Sequence, residues 1–220
     1  MRHCFTACSK DDDDKDPLNG EGEEGVITMV TKKNRIMLYV DSFKEGETIT
    51  IDWGDGTIEE FKTYANTSNY SDYWTDYLEH SYSNNNPHTI KIKGSIKALN
   101  SNNNDLTLLD VSRCTALTRL WCYSNNLTSL DVSKNTALTL LNCNNNNLTS
   151  LDVSKNTALT EELVCSYNNL SATVLNKIFN DLPQGKYDEY GLPARIHIYY
   201  NPGSETCDTS IAENKGWTVY

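Results

Sequence analysis

The stretch "LTSLDVSKNTALT" at residues 127–139 returns letter for letter at 148–160, 21 residues on. "LTLLDVSRCTALT" at 106–118 keeps ten of the same thirteen letters, one period earlier. An active-site loop has no use for a copy of itself, whereas a stack of like units does. Extending the frame gives "IKALNSNNNDLTLLDVSRCTA" at 96–116, "LTRLWCYSNNLTSLDVSKNTA" at 117–137 and "LTLLNCNNNNLTSLDVSKNTA" at 138–158. A fourth unit begins at Leu159 with one residue inserted near Glu161–Glu162, so Leu163, Cys165, Asn168 and Leu170 fall one place late. One such unit cannot bury its leucines alone, but stacked units share a continuous core.

Each unit reads L-x-x-L-x-C-x-x-N-x-L, with Ile96 and Ser101 replacing Leu and Cys in the first. It resembles the leucine-rich-repeat motif, with Cys in the place of the third Leu, over residues 96 to about 182. Alternation around Leu120 and Cys122 predicts a short strand with both side chains inward. Asn104, Asn125, Asn146 and Asn168 are expected to form a ladder inside the turn, bonding backbone groups that the bend leaves unpaired. Cys122, Cys143 and Cys165 recur at spacings of 21 and 22, unlike the tight pairs of a metal site. They read as small apolar fillers on stacked strands. Cys114 replaces the Asn of "SKN" on a turn, and Cys207 falls in the C-terminal segment.

Residues 26–95 follow a different pattern. "VITMV", "RIMLYV", "TITIDW" and "TIKIKG" are short β-rich runs between polar turns, the pattern of a small antiparallel sandwich. "DWGDG" at 52–56, "HSY" at 80–82 and "TIKIKG" at 89–94 together resemble the polycystic-kidney-disease-type (PKD-like) domain. That resemblance implies an immunoglobulin-like sandwich used in extracellular proteins as a spacer or binding module. Asp52 and Asp55 read first as turn residues, with calcium binding and acid–base chemistry as the other two readings. Tyr70, Tyr73, Trp74 and Tyr77 recur at helical spacing, as a stripe packed on the sandwich or an exposed aromatic platform.

Beyond the repeats, "SATVLNKIFNDLP" predicts a helix capped by Ser171, with Val174, Leu175, Ile178, Phe179 and Leu182 on one face and Pro183 ending it. The strand "RIHIYY", the turn "NPG", a short helix over "TSIAENK" closed by Gly216 and a final "WTVY" strand complete a cap over 183–220. This segment resembles the cap of bacterial leucine-rich-repeat proteins with Cys-containing units. The expected fold is therefore mostly β with short helices: a PKD-like β-sandwich, a four-unit solenoid over 96–182, and a helix/strand cap.

The first 25 residues form a leader and acidic linker. "FTAC" resembles a bacterial lipobox that would place a lipid on Cys8, and "SKDDDD" resembles the acidic export tag of surface lipoproteins. A signal peptide needs a basic start and a 7–15-residue apolar stretch, and only seven residues precede Cys8, so the start is truncated or the resemblance accidental. "DDDDK" also reads as a protease-cleavage tag, and the whole run as a plain acidic linker. The lipoprotein reading implies a bacterial outer-membrane surface location; without it, secretion is expected.

The net charge is −11, of which residues 1–25 carry −5. This disfavours nucleic acid and anionic membrane surfaces as partners. No apolar run is long enough to span a bilayer. The four histidines are scattered, and no triad, metal motif or phosphate loop occurs at usable spacing. No catalytic residue, metal or cofactor is expected. The non-core positions beside each strand are the candidate ligand surface: Arg119, Trp121 and Tyr123 in the second unit, Leu140, Asn142 and Asn144 in the third, and Val164 and Ser166 in the fourth. Trp, Tyr and Arg are the usual anchors of interfaces, and asparagines suit a polar ligand. A monomeric, non-enzymatic recognition module for a protein or glycan is expected, with a structural spacer as the alternative. Four coils span about 19 Å.

Overall fold

The computed structural model describes residues 25–63, 77–187 and 191–220. The aromatic residues Tyr70, Tyr73 and Trp74 and the leader with Cys8 lie outside them. Over the described residues the chain is mostly β with two short helices, as expected.

Period-two alternation builds the first layer. In β1 (Val26–Thr31), β3 (Thr48–Asp52) and β6 (His88–Lys93), Ile27, Met29, Ile49, Ile51, Ile90 and Ile92 are buried, and less buried residues lie between them. With β4 (Ile58–Lys62) and β8 (Leu108–Asp110) they form a five-stranded antiparallel sheet, ordered β4-β3-β6-β1-β8.

The second layer begins with β5 (Leu78–Ser81), β2 (Arg35–Ser42) and β7 (Ile96–Asn100), paired antiparallel. It continues in parallel through β9 (Arg119–Trp121), β10 (Leu140–Asn142), β11 (Glu162–Val164), β12 (Ala194–His197) and β13 (Trp217–Val219). One eight-stranded sheet thus runs from the sandwich to the C-terminus. The first repeat supplies a strand to each layer, β7 to the long sheet and β8 to the five-stranded one. The buried apolar side chains accordingly form one cluster from Ile27 to Trp217.

Inside the solenoid Leu99, Leu120, Leu141, Leu163 and Ile196 stand in register, all fully buried. The inserted residue of the fourth unit is absorbed before β11, so Leu163 keeps its place opposite Leu141. Cys122, Cys143 and Cys165 form a second buried row, unpaired by disulfides. Burial pushes the Cys143 thiol up to about 12 against a smaller lowering by a backbone hydrogen bond, and it raises Cys122 and Cys165 well above the usual range, with neighbouring cysteines adding to the effect. They are inert packing groups.

The asparagine ladder turns the stack. Asn146 Nδ2 donates to the carbonyls of Cys122 (3.0 Å) and Cys143 (3.1 Å), and its Oδ1 accepts from the Leu127 amide at 3.0 Å. Asn125 and Asn168 repeat the pattern one coil before and one coil after. Asn104 grips the sandwich instead. Its side chain donates to the Met37 carbonyl at 2.7 Å and accepts from the Met37 amide at 3.0 Å, so the ladder starts on β2. At the far end Asn201 bonds the carbonyls of Cys165 and Ile198 and the Leu170 amide. The segment 194–201 is therefore a fifth coil inside the expected cap.

A second ladder runs along the opposite turn. Asn156 Nδ2 donates to Val132 and Asn135, and Asn135 Nδ2 to Val111 and Cys114. Cys114 begins this row, buried, with its thiol donating weakly toward the Ile96 carbonyl.

The helix α1 (Ala172–Asp181) starts where Ser171 Oγ accepts from the Val174 amide and buries Leu175, Ile178 and Phe179. The "NPG" turn packs against its start: a Cβ on Gly203 would lie 2.0 Å from the Ala172 nitrogen. α2 (Ser210–Glu213) and β13 then close the end, with Trp217 Nε1 donating to the Pro183 carbonyl at 2.9 Å.

Replacing Asn146 with Ala strips three carbonyls, of Cys122, Cys143 and Asn144, and the Leu127 amide of their side-chain partner. It should lower the unfolding free energy by about 2–4 kcal/mol, read from the urea midpoint at unchanged slope.

Candidate functional site

The surface of the long sheet opposite the core is organised by strand register. One row runs Asp41, Ala98, Arg119, Leu140, Glu162, Arg195 and Thr218. The next runs Tyr39, Asn100, Trp121, Asn142, Val164 and His197. Just past the strand ends, backbone bonds from Asn103 to Tyr123, Ser124 to Asn144, Asn145 to Ser166 and Tyr167 to Tyr199 carry a third row across the coils. The outer rows thus begin on sandwich strand β2, well before the first coil. Seven inter-strand steps give the sheet a width of about 34 Å.

The five expected ligand residues all lie on this face, in different environments. Trp121 is only 7% exposed, so it is a packed side chain rather than an open anchor. Arg119 pairs with Glu161 at 3.7 Å. Tyr123, Asn142 and Asn144 are half-buried. Asn142 Oδ1 accepts from the Asn144 amide at 3.3 Å. Asn144 Oδ1 and its row neighbour Ser166 Oγ are buried, and among the described residues neither finds a hydrogen-bond partner. Both atoms are closed to solvent, and a buried water is the kind of group that satisfies such positions.

Charge is confined to the edge row. Glu162 pairs with Arg195 at 3.4 Å. His197 lies 3.9 Å from Glu162, and burial, its largest influence, lowers its pKa. At the sandwich end, desolvation pushes the Asp41 carboxyl up to about 6 although Lys97 and Arg119 pull it down.

The aromatic residues that sequence reasoning missed cluster at the last two coils. Tyr167 and Tyr200 stack with centroids 4.4 Å apart and planes 17° from parallel. Tyr199 stands nearly perpendicular to both, 5.5 and 5.6 Å away. His197 stacks on Tyr220 at 4.7 Å. One signal was present: "IHIYYN" repeats the spacing L-x-C-x-x-N, with Ile196, Ile198 and Asn201 in the structural places.

Each asparagine of the first ladder is preceded by a residue in the left-handed region. These are Asn103, Ser124, Asn145, Tyr167 and Tyr200, with φ of 56°, 54°, 49°, 52° and 57°. Asn adopts this conformation readily; a bulky tyrosine does so at a local cost of about 1–2 kcal/mol.

In the sandwich, the Asp52 and Asp55 carboxylates accept from the Gly54 amide (2.9 Å) and the Thr57 amide (3.0 Å). Asp55 also meets His80 Nε2 at 2.8 Å, and His80 stacks on Trp53. Both carboxylates therefore serve the turn. Among the described residues no group of three or more His, Cys, Asp or Glu is placed to hold a metal ion, and no helix is long and apolar enough to cross a membrane.

No protein-family model and no curated protein matches the chain. Among solved structures it is similar to the functional domain of InlJ from Listeria monocytogenes, described as including a cysteine ladder, 27% identical over 54% of this chain, with a TM-score of 0.40. The match spans 28% of that chain. At that score the likeness decides nothing further, and the cysteine row here rests on its own strands.

Burial sets the expectation for Trp121→Ala, a loss of about 3 kcal/mol of stability seen as a lower melting temperature. For Asp41, a folded-state pKa raised above the unfolded value of 3.8 gives stability that is full below pH 4 and lost as pH rises through about 6. Asp41→Asn should therefore gain on the parent chain between pH 4 and 7, by about 1–2 kcal/mol after solvent screening, measured by urea unfolding at each pH.

Proposed function

We propose that the chain is a non-enzymatic recognition module that holds a protein or glycan partner on the outer face of the long sheet, at a bacterial cell surface. The observation that carries this reading is the division of labour within each coil. Inward positions are nearly invariant, Leu99, Leu120, Leu141 and Leu163 above Cys122, Cys143 and Cys165. The outward positions between them change in every coil: Arg119 and Trp121, Leu140 and Asn142, Glu162 and Val164. A face built only for solvation has no need of the half-buried Tyr123 beside the packed Trp121.

Tyr123, Asn142 and Asn144 are the contact residues in this reading, with Arg119 as a charged flank and Trp121 as the packed floor that holds them. A lipid on Cys8 would tether the chain, with the acidic linker as spacer. Mass spectrometry of the native protein tests that tether by finding, or failing to find, an acyl mass on Cys8. The continuous sheet favours a second reading, in which a PKD-like sandwich and solenoid form one rigid spacer within a surface complex.

The double substitution Tyr123→Ala, Asn142→Ala separates the two. The recognition reading expects a partner retained by the immobilised parent chain to be lost from the variant at unchanged melting temperature. Retention of every partner by the variant contradicts it and favours the spacer.

A further inference from the structure

Five residues occupy one backbone position along the solenoid edge, each just before a ladder asparagine: Asn103, Ser124, Asn145, Tyr167 and Tyr200. In the earlier coils the column is polar, and Asn145 Nδ2 donates to Ser124 Oγ at 3.0 Å. In the last two coils it becomes aromatic, although the left-handed conformation disfavours large side chains there. Packing does not explain the exchange, because the rings face solvent: Tyr167 is 45% exposed and Tyr200 69%. Strained backbone that presents exposed side chains is a mark of functional sites.

The cluster also has a definite shape. Tyr200 lies with one face on Tyr167, so its large exposure belongs to the other face. Tyr199, 39% exposed, stands at 83° to Tyr200 and closes one side. Flat ring and upright ring together make an open corner.

We propose that this tyrosine corner is a saccharide-binding site, with the apolar face of a neutral pyranose on Tyr200 and its hydroxyls directed to the phenols of Tyr167 and Tyr199. Three observations select this ligand over the alternatives. The exposed large apolar residues here are all tyrosines, whose rings end in hydroxyls; a protein-docking patch would include aliphatic side chains. The cluster is three rings wide, far below the roughly 800 Å² that a stable protein partner covers on each side. The chain carries a net charge of −11 and Arg195 is ion-paired with Glu162 at 3.4 Å, so a sulfated or carboxylated sugar meets no excess of positive charge. Stacking on an aromatic face is the physical use of such a ring.

The column supplies its own control. Asn is the native residue at this backbone position in other coils, so Tyr167→Asn and Tyr200→Asn remove the rings without asking the turn to change. Both variants should fold, at equal or higher melting temperature. The experiment titrates the full chain with neutral tetrasaccharides of glucose, galactose and N-acetylglucosamine, and with a sulfated tetrasaccharide, by calorimetry. The parent chain is expected to bind at least one neutral probe. Tyr200→Asn should weaken that binding at least about tenfold, the double variant should abolish it, and Tyr200→Phe should stay within about threefold of the parent.

The proposal is overturned if the parent binds no neutral probe, if the double variant binds as the parent does, or if the sulfated probe binds more tightly. It is equally overturned if the double variant loses a protein partner and no saccharide. The proposal rests on the recognition reading, but the two can fail separately. Absent saccharide binding, with a protein partner still lost on Tyr123→Ala, Asn142→Ala, defeats only the tyrosine corner.

Discussion

The hydrogen bonds of a buried asparagine to backbone groups of two neighbouring coils hold this molecule in its shape. A tight bend repeated in every coil leaves carbonyls and amides facing inward, where water cannot reach them, and each such group left unpaired is costly. Asn125, Asn146, Asn168 and Asn201 each resolve one bend by bridging two consecutive coils. Asn104 does the same between the first coil and strand β2. The ladder therefore joins sandwich, solenoid and cap, and fixes the register that places Leu on Leu and Cys on Cys.

This constraint explains why the fold was so legible. The ladder and the inward rows must repeat, so they appear in the sequence as copied letters, and Asn104, Asn125, Asn146 and Asn168 were identifiable from spacing alone. Helix α1 was equally plain, because Ser171 and a single apolar face are local signals. What was hidden is non-local. Nothing in "IKALN" announces that it pairs with "RIMLYV" in antiparallel fashion while pairing in parallel with the next coil. Likewise "LLD" gives no sign that it leaves the solenoid for the other sheet. The fifth coil was obscured because Ile198 stands where Cys is expected and the unit is separated from the fourth by α1. The second ladder was disguised by Cys114 in its first place.

The functional face divides along the same line. Register let the sequence assign Arg119, Trp121, Tyr123, Asn142 and Asn144 to one surface, because alternation decides which way a side chain points. Exposure is another matter: Trp121 points outward and is nonetheless buried, since covering depends on what packs above the sheet. The tyrosines of the last two coils went unnoticed for the opposite reason. Tyr167 reads as one more variable letter until the backbone shows that it shares a left-handed position with Tyr200 and that their rings stack.

The central claim is that the asparagine ladder makes the sandwich and the coils one cooperative body. Native-state hydrogen exchange reads it most directly, at the amides that donate to ladder oxygens: Met37 in the sandwich, and Leu106, Leu127, Leu148 and Leu170 along the coils. The account predicts that all five open with a common free energy, within about 1 kcal/mol, that falls together with denaturant. Exchange of Met37 through a separate, lower-energy opening while the coil amides stay protected would contradict it.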